Sequence, residues 1–403
     1  MKRYSEIKAG VVGVGFIGVA HVEALRRIGV QVVGVVGSSP ERAQAKADAA
    51  DLPTVYPTIE ALAADSSIDV IHIASPNNVH YDQVLACLSA GKHVVCEKPL
   101  AVTSAQSAEL VEAAQAAGVV NAVCFNLRFY AHVLQSRSMA QSGQLGTVNF
   151  VTGAYLQDWL LKDTDWNWRL VPEEAGELRA VADIGSHWLD LVRFMTGQDI
   201  VEVMADLHTF VPVRRHPAGP VETFAAAGDE ADLVEESMSS DDAASIMLRF
   251  ASGAQGLAAI SQISAGRKNS ISFEIDGSES SVAWQSENPE SLFIGHRGRP
   301  NELLNRDPSL VDAEVAPHIG YPGGHVEGYP DTFRALFKAV YADVAKGAPS
   351  SHPNYPTFAD GHDALLVTDA VARSAAERRW VSVDRQTSIA NVDRQESIAE
   401  IDR

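Results

Sequence analysis

The stretch HVVCEKPL, residues 93–100, decides the fold prediction for this chain. Residues 93–96 are typical of a buried strand, and the charged pair Glu97-Lys98 and a proline follow them. Because Pro99 disfavours a helical backbone at the residue before it, the strand does not continue as a helix. In open parallel sheets, ligands bind beyond the carboxyl ends of the strands. The stretch therefore predicts a buried parallel strand that delivers Lys98 to a ligand site.

The N-terminal third alternates apolar runs with helical patterns. Strand-like runs occupy residues 7–14, 30–36, 69–74, 93–96 and 119–125. Helical patterns lie between them, with Pro40 at the start of one helix and Thr103 or Ser104 as the cap of another. Short strands that alternate with helices predict a doubly wound parallel sheet, the Rossmann architecture.

The pattern changes after about residue 143. Longer strand-like runs occupy residues 147–156, 201–210, 243–250, 255–263, 270–275 and 281–284. Three helical patterns accompany them, at residues 184–196, 331–344 and 357–376. This order predicts a mostly antiparallel open sheet flanked by helices.

We therefore divide the chain into three parts. Residues 1–130 are predicted to be a dinucleotide-binding domain, and residues 131–382 an α+β domain for substrate binding and oligomerisation. Residues 383–403 repeat the unit VDRQTSIAN as VDRQESIAE, which is too short to build a core. We expect this tail to be solvated.

Composition limits the functional class. The 403 residues have a formal net charge of −20, which disfavours a nucleic-acid backbone or an anionic membrane as partner. No apolar run is long enough to span a membrane, and no signal peptide is recognisable. The three cysteines, Cys87, Cys96 and Cys124, lack metal-ligand spacing. We expect a cytoplasmic protein without a metal, a nucleic-acid partner or a membrane anchor.

A glycine-rich turn lies near the N-terminus. Residues 13–18 read GVGFIG, between a predicted strand and a predicted helix. In the GxGxxG pattern, Gly13 forms the tight turn, Gly15 lets the backbone approach a pyrophosphate, and Gly18 allows close packing of helix on strand. The helix that follows the turn offers free N–H groups to phosphates, and Phe16 and Ile17 of the turn are predicted cofactor contacts together with the three glycines. The turn predicts dinucleotide binding.

The end of the second strand bears on the choice between NAD and NADP. An acidic residue there would bind the ribose 2′-hydroxyl, but the chain reads GSSPER over residues 37–42. Ser38, Ser39 and Arg42 can hold a 2′-phosphate. Alternatively, Glu41 and Arg42 are the solvated first turn of a helix. Both cofactors remain open.

A catalytic constellation is predicted downstream. Asp183, His187 and Asp190 stand at i, i+4 and i+7, which places them on one face of a helix. Histidine suits deprotonation of a hydroxyl because its pKa lies near working pH. Lys98 can bind the same oxygen as it becomes a carbonyl. From these residues alone, a capped helix with a surface histidine remains an alternative, as does a surface lysine.

In this order and spacing, the motifs at residues 13–18, 97–99 and 183–190 resemble those of the Gfo/Idh/MocA family of nicotinamide-dependent oxidoreductases. The resemblance implies that Lys98, Asp183 and His187 form the active site. His187 would be the acid/base, and Lys98 would bind the reacting oxygen. The reaction implied is hydride transfer between the nicotinamide and a carbon of a sugar, glycoside or cyclitol.

The resemblance implies further site residues. The segment SPNNVH, residues 75–80, resembles the family's cofactor loop, and residues 126–129 resemble a segment beside the nicotinamide. Residues 155–159 and 165–169 resemble the branch that contains levoglucosan dehydrogenase and sugar 3-dehydrogenases. The implied cofactor contacts are Ser75, Pro76, Asn77, His80, Glu97, Lys98 and Asn126. The implied substrate contacts are Lys98, Arg128, Trp166, Arg169, Asp183, His187 and His325.

Two alternatives to a dehydrogenase remain. Some relatives retain the nicotinamide and cleave a glycosidic bond through transient sugar oxidation, so a redox-neutral glycoside hydrolase is the second reading. A non-catalytic nucleotide sensor is the third, which the intact Lys98, Asp183 and His187 disfavour. The resemblance also implies a homodimer or homotetramer that associates through the open face of the second sheet, where residues 243–250 and 255–263 lie.

Overall fold

A computed structural model describes residues 1–217 and 233–385 of the protein. The predicted tail lies outside this part of the chain except for its first three residues. Within the described residues there are two large sheets and one small one. No helix in the described ranges has the length and apolar character that crossing a membrane requires.

The first sheet is parallel throughout, as predicted. Its strands are β1 (Lys8–Val12), β2 (Gln31–Val36), β3 (Val70–Ile73), β4 (His93–Cys96) and β5 (Asn121–Val123). They are ordered β2-β1-β3-β4-β5. Every residue of β3 and the last three of β4 are buried, because helices cover both faces of the sheet. This explains why these strands are continuous apolar runs instead of alternating ones.

Five helices connect these strands: α1 (Phe16–Arg27), α2 (Pro40–Ala49), α3 (Ile59–Ala64), α4 (His80–Ser89) and α5 (Ser104–Ala117). Thr103 caps α5 by accepting the Gln106 N–H at 3.2 Å, and Pro40 occupies the first turn of α2. Of the five, α3 was not predicted, since six residues give little periodicity. The next helix, α6 (Ala131–Gln141), was also missed, because it is buried around most of its circumference and shows no polar face.

The second sheet is larger than predicted. Its region contains β6 (Val148–Leu156), β7 (Ile200–His208), β8 (Val213–Pro217), β9 (Leu233–Ser237), β10 (Ala243–Phe250), β11 (Gln255–Ser261), β12 (Ser270–Gly277), β13 (Ser281–Gln285), β14 (Ser291–Gly295), β15 (Glu302–Asn305) and β16 (Val381–Ser382). Nine of them form one sheet in the order β15-β14-β13-β12-β6-β11-β10-β7-β16. Only β6 and β11 pair in parallel within it. Strands β8 and β9 pair separately, and the sequence analysis predicted neither of them.

Helices cover one face of this sheet and leave the other open. The remaining helices are α7 (Pro172–Ala175), α8 (Ser186–Thr196), α9 (Tyr329–Lys346) and α10 (Phe358–Glu377). Apolar residues of α8 such as Trp188, Val192 and Met195 are buried in the core, where the Trp188 indole N–H donates to the Ser272 carbonyl at 2.9 Å. On the opposite face of the sheet, β10 alternates buried and exposed residues along its length. One face is thus a core and the other meets solvent.

The two halves are less separate than the sequence suggests. Helix α9 packs on the first sheet, since Phe333 and Phe337 share a core with Val11 and Leu25. Helix α10 contributes Phe358 to the core of the first domain and Val371 to that of the second. The dinucleotide-binding unit is therefore completed by helices from the far end of the chain.

The first residues of the predicted solvated tail dock on the fold. The Val383 N–H donates to the Val201 carbonyl at 2.9 Å, and Val383 is buried. The Arg385 guanidinium donates to the Asp363 carboxylate at 2.7 Å. The second domain thus includes at least three residues beyond the predicted boundary at residue 382.

Candidate active site

The turn between β1 and α1 has the shape that a pyrophosphate requires. Gly13 has φ of +90°, and a Cβ there would overlap the Ala74 carbonyl. A Cβ at Gly18 would overlap the carbonyl oxygen of Gly13, so only glycine permits this packing. Around Gly15, in contrast, nothing lies within 4 Å of where a Cβ would be. Phe16 begins α1 without a side-chain cap at Gly15, so the helix presents its N-terminal amides beside this open space.

Residues that follow β3 and β4 form the next part of the rim. The Asn77 side chain donates to the Ala175 carbonyl at 3.2 Å, which joins the predicted cofactor loop to α7. The Ser75 hydroxyl donates to Gln83 at 2.6 Å. Ser75, Pro76 and Asn77 are all partly exposed at this edge. They lie where a cofactor loop is expected.

The structure does not place His80 at the open rim. Its ring is fully buried, and its two nitrogens lie 2.9 Å from the Ser75 carbonyl and 2.8 Å from the Pro99 carbonyl. His80 therefore joins the loops after β3 and β4 from beneath. The resemblance implies a cofactor contact at this position, whereas the ring is turned inward and bonded to the two loops.

Neither the last residues of β2 nor Gly37 and Ser38, which follow it, carry a carboxylate. Ser38 is exposed, and Ser39 caps α2 by accepting the Arg42 N–H at 3.3 Å. The Arg42 side chain is exposed on the first turn of α2. The residues proposed for a 2′-phosphate therefore lie at the exposed start of α2.

An ion pair between Lys98 and Asp183 lies at the centre of the site. The Lys98 ammonium donates to the Asp183 carboxylate at 2.8 Å and to the Asp183 backbone carbonyl at 2.7 Å. Arg169 donates to the same carboxylate oxygen at 3.0 Å, and Gln262 donates to the other at 2.8 Å. Burial raises the pKa of Asp183, but Arg169 and Lys98 lower it by more and hold it well below its usual range. Asp183 is therefore ionised at neutral pH.

The local backbone explains how Asp183 reaches Lys98. Asp183 does not belong to α8 as predicted but to a π-helical segment, Val181–Gly185, directly before it. Such wider turns occur frequently at functional sites. The three predicted helix-face residues consequently separate: Asp183 meets Lys98, whereas Asp190 binds Arg128 on another side of α8.

His187 lies in the first turn of α8 and is 8% exposed. Its ring packs edge-on against Phe125 at 5.7 Å and lies 6.3 Å from the ring of Tyr155. Among the described residues, its buried Nδ1 has no hydrogen-bond partner. Burial and the charge of Lys98 lower the pKa of His187 to about 3, while Glu97 and Asp183 oppose the shift. The imidazole is therefore neutral at working pH.

Three further residues that the resemblance assigns to substrate or cofactor have hydrogen-bond partners of their own within the protein. Arg128 is buried in a bidentate pair with Asp190 at 2.5 and 2.8 Å and also reaches Asp360. The Asn126 amide is buried and donates to the Thr332 hydroxyl at 2.7 Å. His325 is exposed, and its Nδ1 lies 3.3 Å from the carbonyl of its own loop residue Pro322. Arg128 and Asn126 thus join helices to one another, and the structure does not bring His325 into contact with Lys98.

The aromatic segment before the π-helical turn is partly exposed. The rings of Trp166 and His216 stack at 3.6 Å with an interplanar angle of 13°. The Arg169 guanidinium lies 4.4 Å from the ring of Trp168. Because Arg169 also holds Asp183, this segment reaches the edge of the ion pair.

Sequence reasoning missed three residues of the site. Gln262 follows β11 and fixes Asp183, Tyr155 lies beside His187, and His21 donates to or accepts from Glu97 at 3.0 Å. Tyr155 lies in the segment 155–159 noted above, although it was not named as a site residue, and Gln262 and His21 belong to no motif singled out from the sequence. For Gln262, the available signal was a polar residue at the end of a buried strand.

Comparison with known proteins gives the family. The family model described as the oxidoreductase family with an NAD-binding Rossmann fold matches residues 7–125, and the GFO/IDH/MocA C-terminal domain matches residues 133–283. The chain belongs to the GFO/IDH/MocA oxidoreductase family. It is therefore an NAD(P)-dependent oxidoreductase of a family that includes sugar and inositol dehydrogenases.

Several relatives align over almost the whole of this family member. Levoglucosan dehydrogenase of Pseudarthrobacter phenanthrenivorans is 30% identical, over 94% of this chain and 98% of the relative. Inositol 2-dehydrogenase of Rhizobium meliloti is 26% identical, over 94% and 99%. A solved structure of levoglucosan dehydrogenase with NADH and levoglucosan superposes with a TM-score of 0.84 at 28% identity, covering 94% of this chain and 99% of that one. These matches confirm the predicted family and fold.

The glycine turn yields a matched pair of variants. Gly18→Ala should lower the free energy of unfolding by about 1–3 kcal/mol, because the new methyl meets the Gly13 carbonyl. Gly15→Ala should cost at most about 1 kcal/mol but raise the Kd for NADH about tenfold or more, because its methyl fills the space left for the pyrophosphate. Urea unfolding and NADH fluorescence measure the two effects. Wild-type NADH affinity in Gly15→Ala would contradict the assigned cofactor position.

The buried neutral His187 should make stability depend on pH. Its folded pKa of about 3 lies below the unfolded value near 6.5, so the unfolded chain binds more protons between these limits. Stability is therefore lost as the pH falls below about 6.5, by about 1.4 kcal/mol per pH unit for each such group. Between pH 6.5 and 5, the free energy of unfolding of His187→Asn should fall by about 2 kcal/mol less than that of wild type, as measured by urea unfolding. The exposed His325→Asn is the control, and an equal pH dependence in all three proteins would refute the burial argument.

Proposed function

We propose that the enzyme oxidises a secondary hydroxyl of a sugar, glycoside or cyclitol, with hydride transfer to NAD(P). The observation that carries the proposal is the meeting of Lys98, Asp183 and His187 at the carboxyl end of β4, the edge where the open Rossmann turn also lies. The names of the aligned relatives, levoglucosan and inositol dehydrogenases, support this substrate class. When bound, the oxidised nicotinamide supplies the hydride acceptor.

Lys98 is suited to bind the reacting oxygen. An ammonium group has three N–H donors, and the carboxylate and the carbonyl of Asp183 accept two of them. The third donor is left for a substrate oxygen. As the hydroxyl becomes a carbonyl, charge develops on this oxygen, and a fixed donor in a largely buried site stabilises that charge. Asp183 holds the ammonium in place because Arg169 and Gln262 in turn hold the carboxylate.

His187 is suited to take the hydroxyl proton. The lowered pKa keeps the imidazole neutral, so one ring nitrogen has a lone pair available at neutral pH. Once it is protonated, the nearby carboxylates of Glu97 and Asp183 stabilise the imidazolium, since both raise the pKa of His187. The histidine can therefore accept the proton as Lys98 steadies the oxygen. In the reverse direction it returns the proton.

A carbohydrate fits the partly exposed residues around the pair. Arg169 lies against the ring of Trp168, and the partly exposed ring of Trp166 has one face covered by His216. Aromatic faces pack against the apolar faces of sugar rings, and a few polar groups fix the orientation of the hydroxyls. We assign Trp166 and Arg169 to substrate binding on this basis.

Replacement of Lys98 tests the proposal. Lys98→Met should lower kcat/KM by about 100-fold to 1000-fold, because it removes the donor to the developing charge. The fold should survive, since Asp183 keeps its bonds to Arg169 and Gln262. Reduced-cofactor absorbance over a panel of sugars, inositols and glycosides measures turnover, and NADH fluorescence measures cofactor binding.

The control is Lys338→Met, which removes an exposed lysine of α9. Retained turnover in Lys98→Met would contradict the assigned role. Glycoside cleavage by the wild-type enzyme without accumulation of reduced cofactor would instead favour the redox-neutral glycoside hydrolase.

We also propose that the enzyme forms a homodimer or homotetramer through the open face of its nine-stranded sheet. One cross-strand row on this face contains Met204, Met247 and Leu257 at one end and Phe293 and Leu303 at the other, with Thr152, Glu274 and Ala283 between them. Met247 and Leu257 are direct partners, and both remain more than two-fifths exposed. Exposed apolar rows of this kind mark protein interfaces.

A charge in this row should break the assembly. Leu257→Glu places a carboxylate opposite Met247, and its burial between two copies of the sheet would cost several kcal/mol. Light scattering after size exclusion should show a smaller mass than for wild type. Leu310→Glu, at another exposed position, is the control. An unchanged mass for Leu257→Glu would exclude this face.

A further inference from the structure

A chain of four polar groups runs through the core beneath the active site. The Tyr341 hydroxyl lies 2.9 Å from His72 Nε2, the two histidines face each other through their Nδ1 atoms at 3.0 Å, and His21 Nε2 lies 3.0 Å from the Glu97 carboxylate. Tyr341, His72 and His21 are fully buried, and Glu97 is 9% exposed. The rings of Phe333 and Phe337 pack against His21 at 5.5 and 4.9 Å. In this apolar setting the four groups depend on one another for hydrogen bonds, and the Cys124 thiol, 3.6 Å from His21 Nε2, is a further polar neighbour.

Hydrogen-bond counting determines the direction of the chain. A buried tyrosine hydroxyl needs an acceptor, and His72 Nε2 is the one the geometry offers. His72 then carries its proton on Nδ1 and donates to His21 Nδ1. His21 in turn carries its proton on Nε2 and donates to Glu97. In this order every N–H and O–H of the chain has an acceptor, and every donor points toward Glu97.

Glu97 is where this chain meets the catalytic groups. Its second carboxylate oxygen accepts the backbone N–H of Lys98 at 3.2 Å. Burial raises the pKa of Glu97, but the hydrogen bond from His21 and the charge of Lys98 lower it below its ordinary value. The titratable and charged groups that interact with Glu97 are His21, His80, Cys96, Lys98, Cys124, His187 and Tyr329. Of these, Lys98 carries the opposite charge, and His21 and Cys124 donate hydrogen bonds to the carboxylate.

We propose that His21, oriented by His72 and Tyr341, is a positioning residue that keeps Glu97 ionised and thereby fixes Lys98 and the electrostatic setting of His187. The proposal deepens the proposed function and rests on it for its kinetic test. His21 touches neither the substrate nor the cofactor in this account. It acts through Glu97, whose negative charge balances Lys98 and stabilises the imidazolium of His187 during turnover.

The same residues have a second possible explanation. His21, Glu97 and Cys124 bring three ligand-type atoms within 4.8 Å of one another, which is compatible with a metal ion. The hydrogen bonds already account for the closeness of His21 and Glu97, and burial raises the pKa of the Cys124 thiol well above its ordinary value. A buried neutral thiol is a poor metal ligand. Stoichiometric zinc in the purified protein, measured by mass spectrometry, would overturn the hydrogen-bonded chain.

Two variants of His21 test the kinetic consequence. In His21→Leu, Glu97 loses the hydrogen bond from His21 and keeps those from the Lys98 backbone and Cys124, so its pKa should rise above the wild-type value. The kcat/KM of this variant, relative to wild type, should then fall as the pH drops from 8 to 6, approaching about tenfold per pH unit below the raised pKa of Glu97, and recover at higher pH. His21→Gln supplies an N–H to Glu97 and a carbonyl to His72. It should restore the wild-type shape of the profile.

Equal pH profiles for His21→Leu and wild type would overturn the proposal, as would a His21→Gln profile that matches His21→Leu. Adding Glu97→Gln to His21→Leu should abolish the new pH dependence, because the titrating group is gone. If His21→Leu does not fold, Tyr341→Phe removes only the first donor. It should shift the profile in the same direction by a smaller amount, and no shift would count against the proposal.

A spectroscopic test does not depend on turnover. In protein labelled with ¹⁵N-histidine, two exchange-protected downfield imidazole protons should appear, one on Nε2 of His21 and one on Nδ1 of His72. His21→Gln should remove the first signal and leave the second. Protonation of His72 at Nε2 would overturn the proposed direction. If these signals are as expected but no sugar or cyclitol is oxidised, the proposed function fails and the chain of donors stands.

Discussion

The ion pair between Lys98 and Asp183 is the contact on which the site depends. It joins the loop after β4 in the parallel sheet to the π-helical turn before α8 in the second domain. Both side chains are largely buried, and removing two charges from water costs several kcal/mol per ion. The additional donors Arg169 and Gln262 offset that cost. A buried pair of this kind is poor evidence for stability, but it fixes the relative positions of groups that must act together.

A second set of buried charges holds the same two halves together behind the site. Arg128, which precedes α6, binds Asp190 of α8 and Asp360 of α10. Burial lowers the pKa of Arg128, but Asp190 and Asp360 raise it above the ordinary value, so the guanidinium stays charged. Arg193 extends the set to Asp363, and Asp363 binds Arg385 near the end of the described chain. The helix that carries His187 is thus held from both sides, by the site in front and by this network behind.

The sequence predicts the parallel sheet well because its strands are short apolar runs between recognisable turns. Residues 93–96 match β4 at both ends, and Thr103 caps α5 as expected. The motif glycines also lie where their conformations require them. The sequence does not predict strands such as β8 or β15, which alternate weakly, or α6, whose buried circumference lacks a polar face. Nor can it show that α9 returns to cover the first sheet, because that packing depends on contacts between residues about 300 positions apart.

The site shows the same limit. Motif residues such as Lys98 and Asp183 are recognisable because their spacing is regular, and their neighbours Gln262 and His21 are not. A motif also does not show which way a side chain turns. It therefore could not show that His80 and Arg128 are buried. Residues that position others depend on three-dimensional contacts, so only the structure shows them.

Transfer of a labelled hydride tests the central claim most directly. The purified enzyme would be incubated with NAD⁺ or NADP⁺ and with sugars, glycosides or inositols that carry deuterium at the carbon of each secondary hydroxyl. The account predicts that one such substrate yields reduced cofactor containing one deuterium, in a one-to-one ratio with a ketone product, as measured by mass spectrometry. Binding of the cofactor without deuterium transfer from any of these substrates would contradict the account.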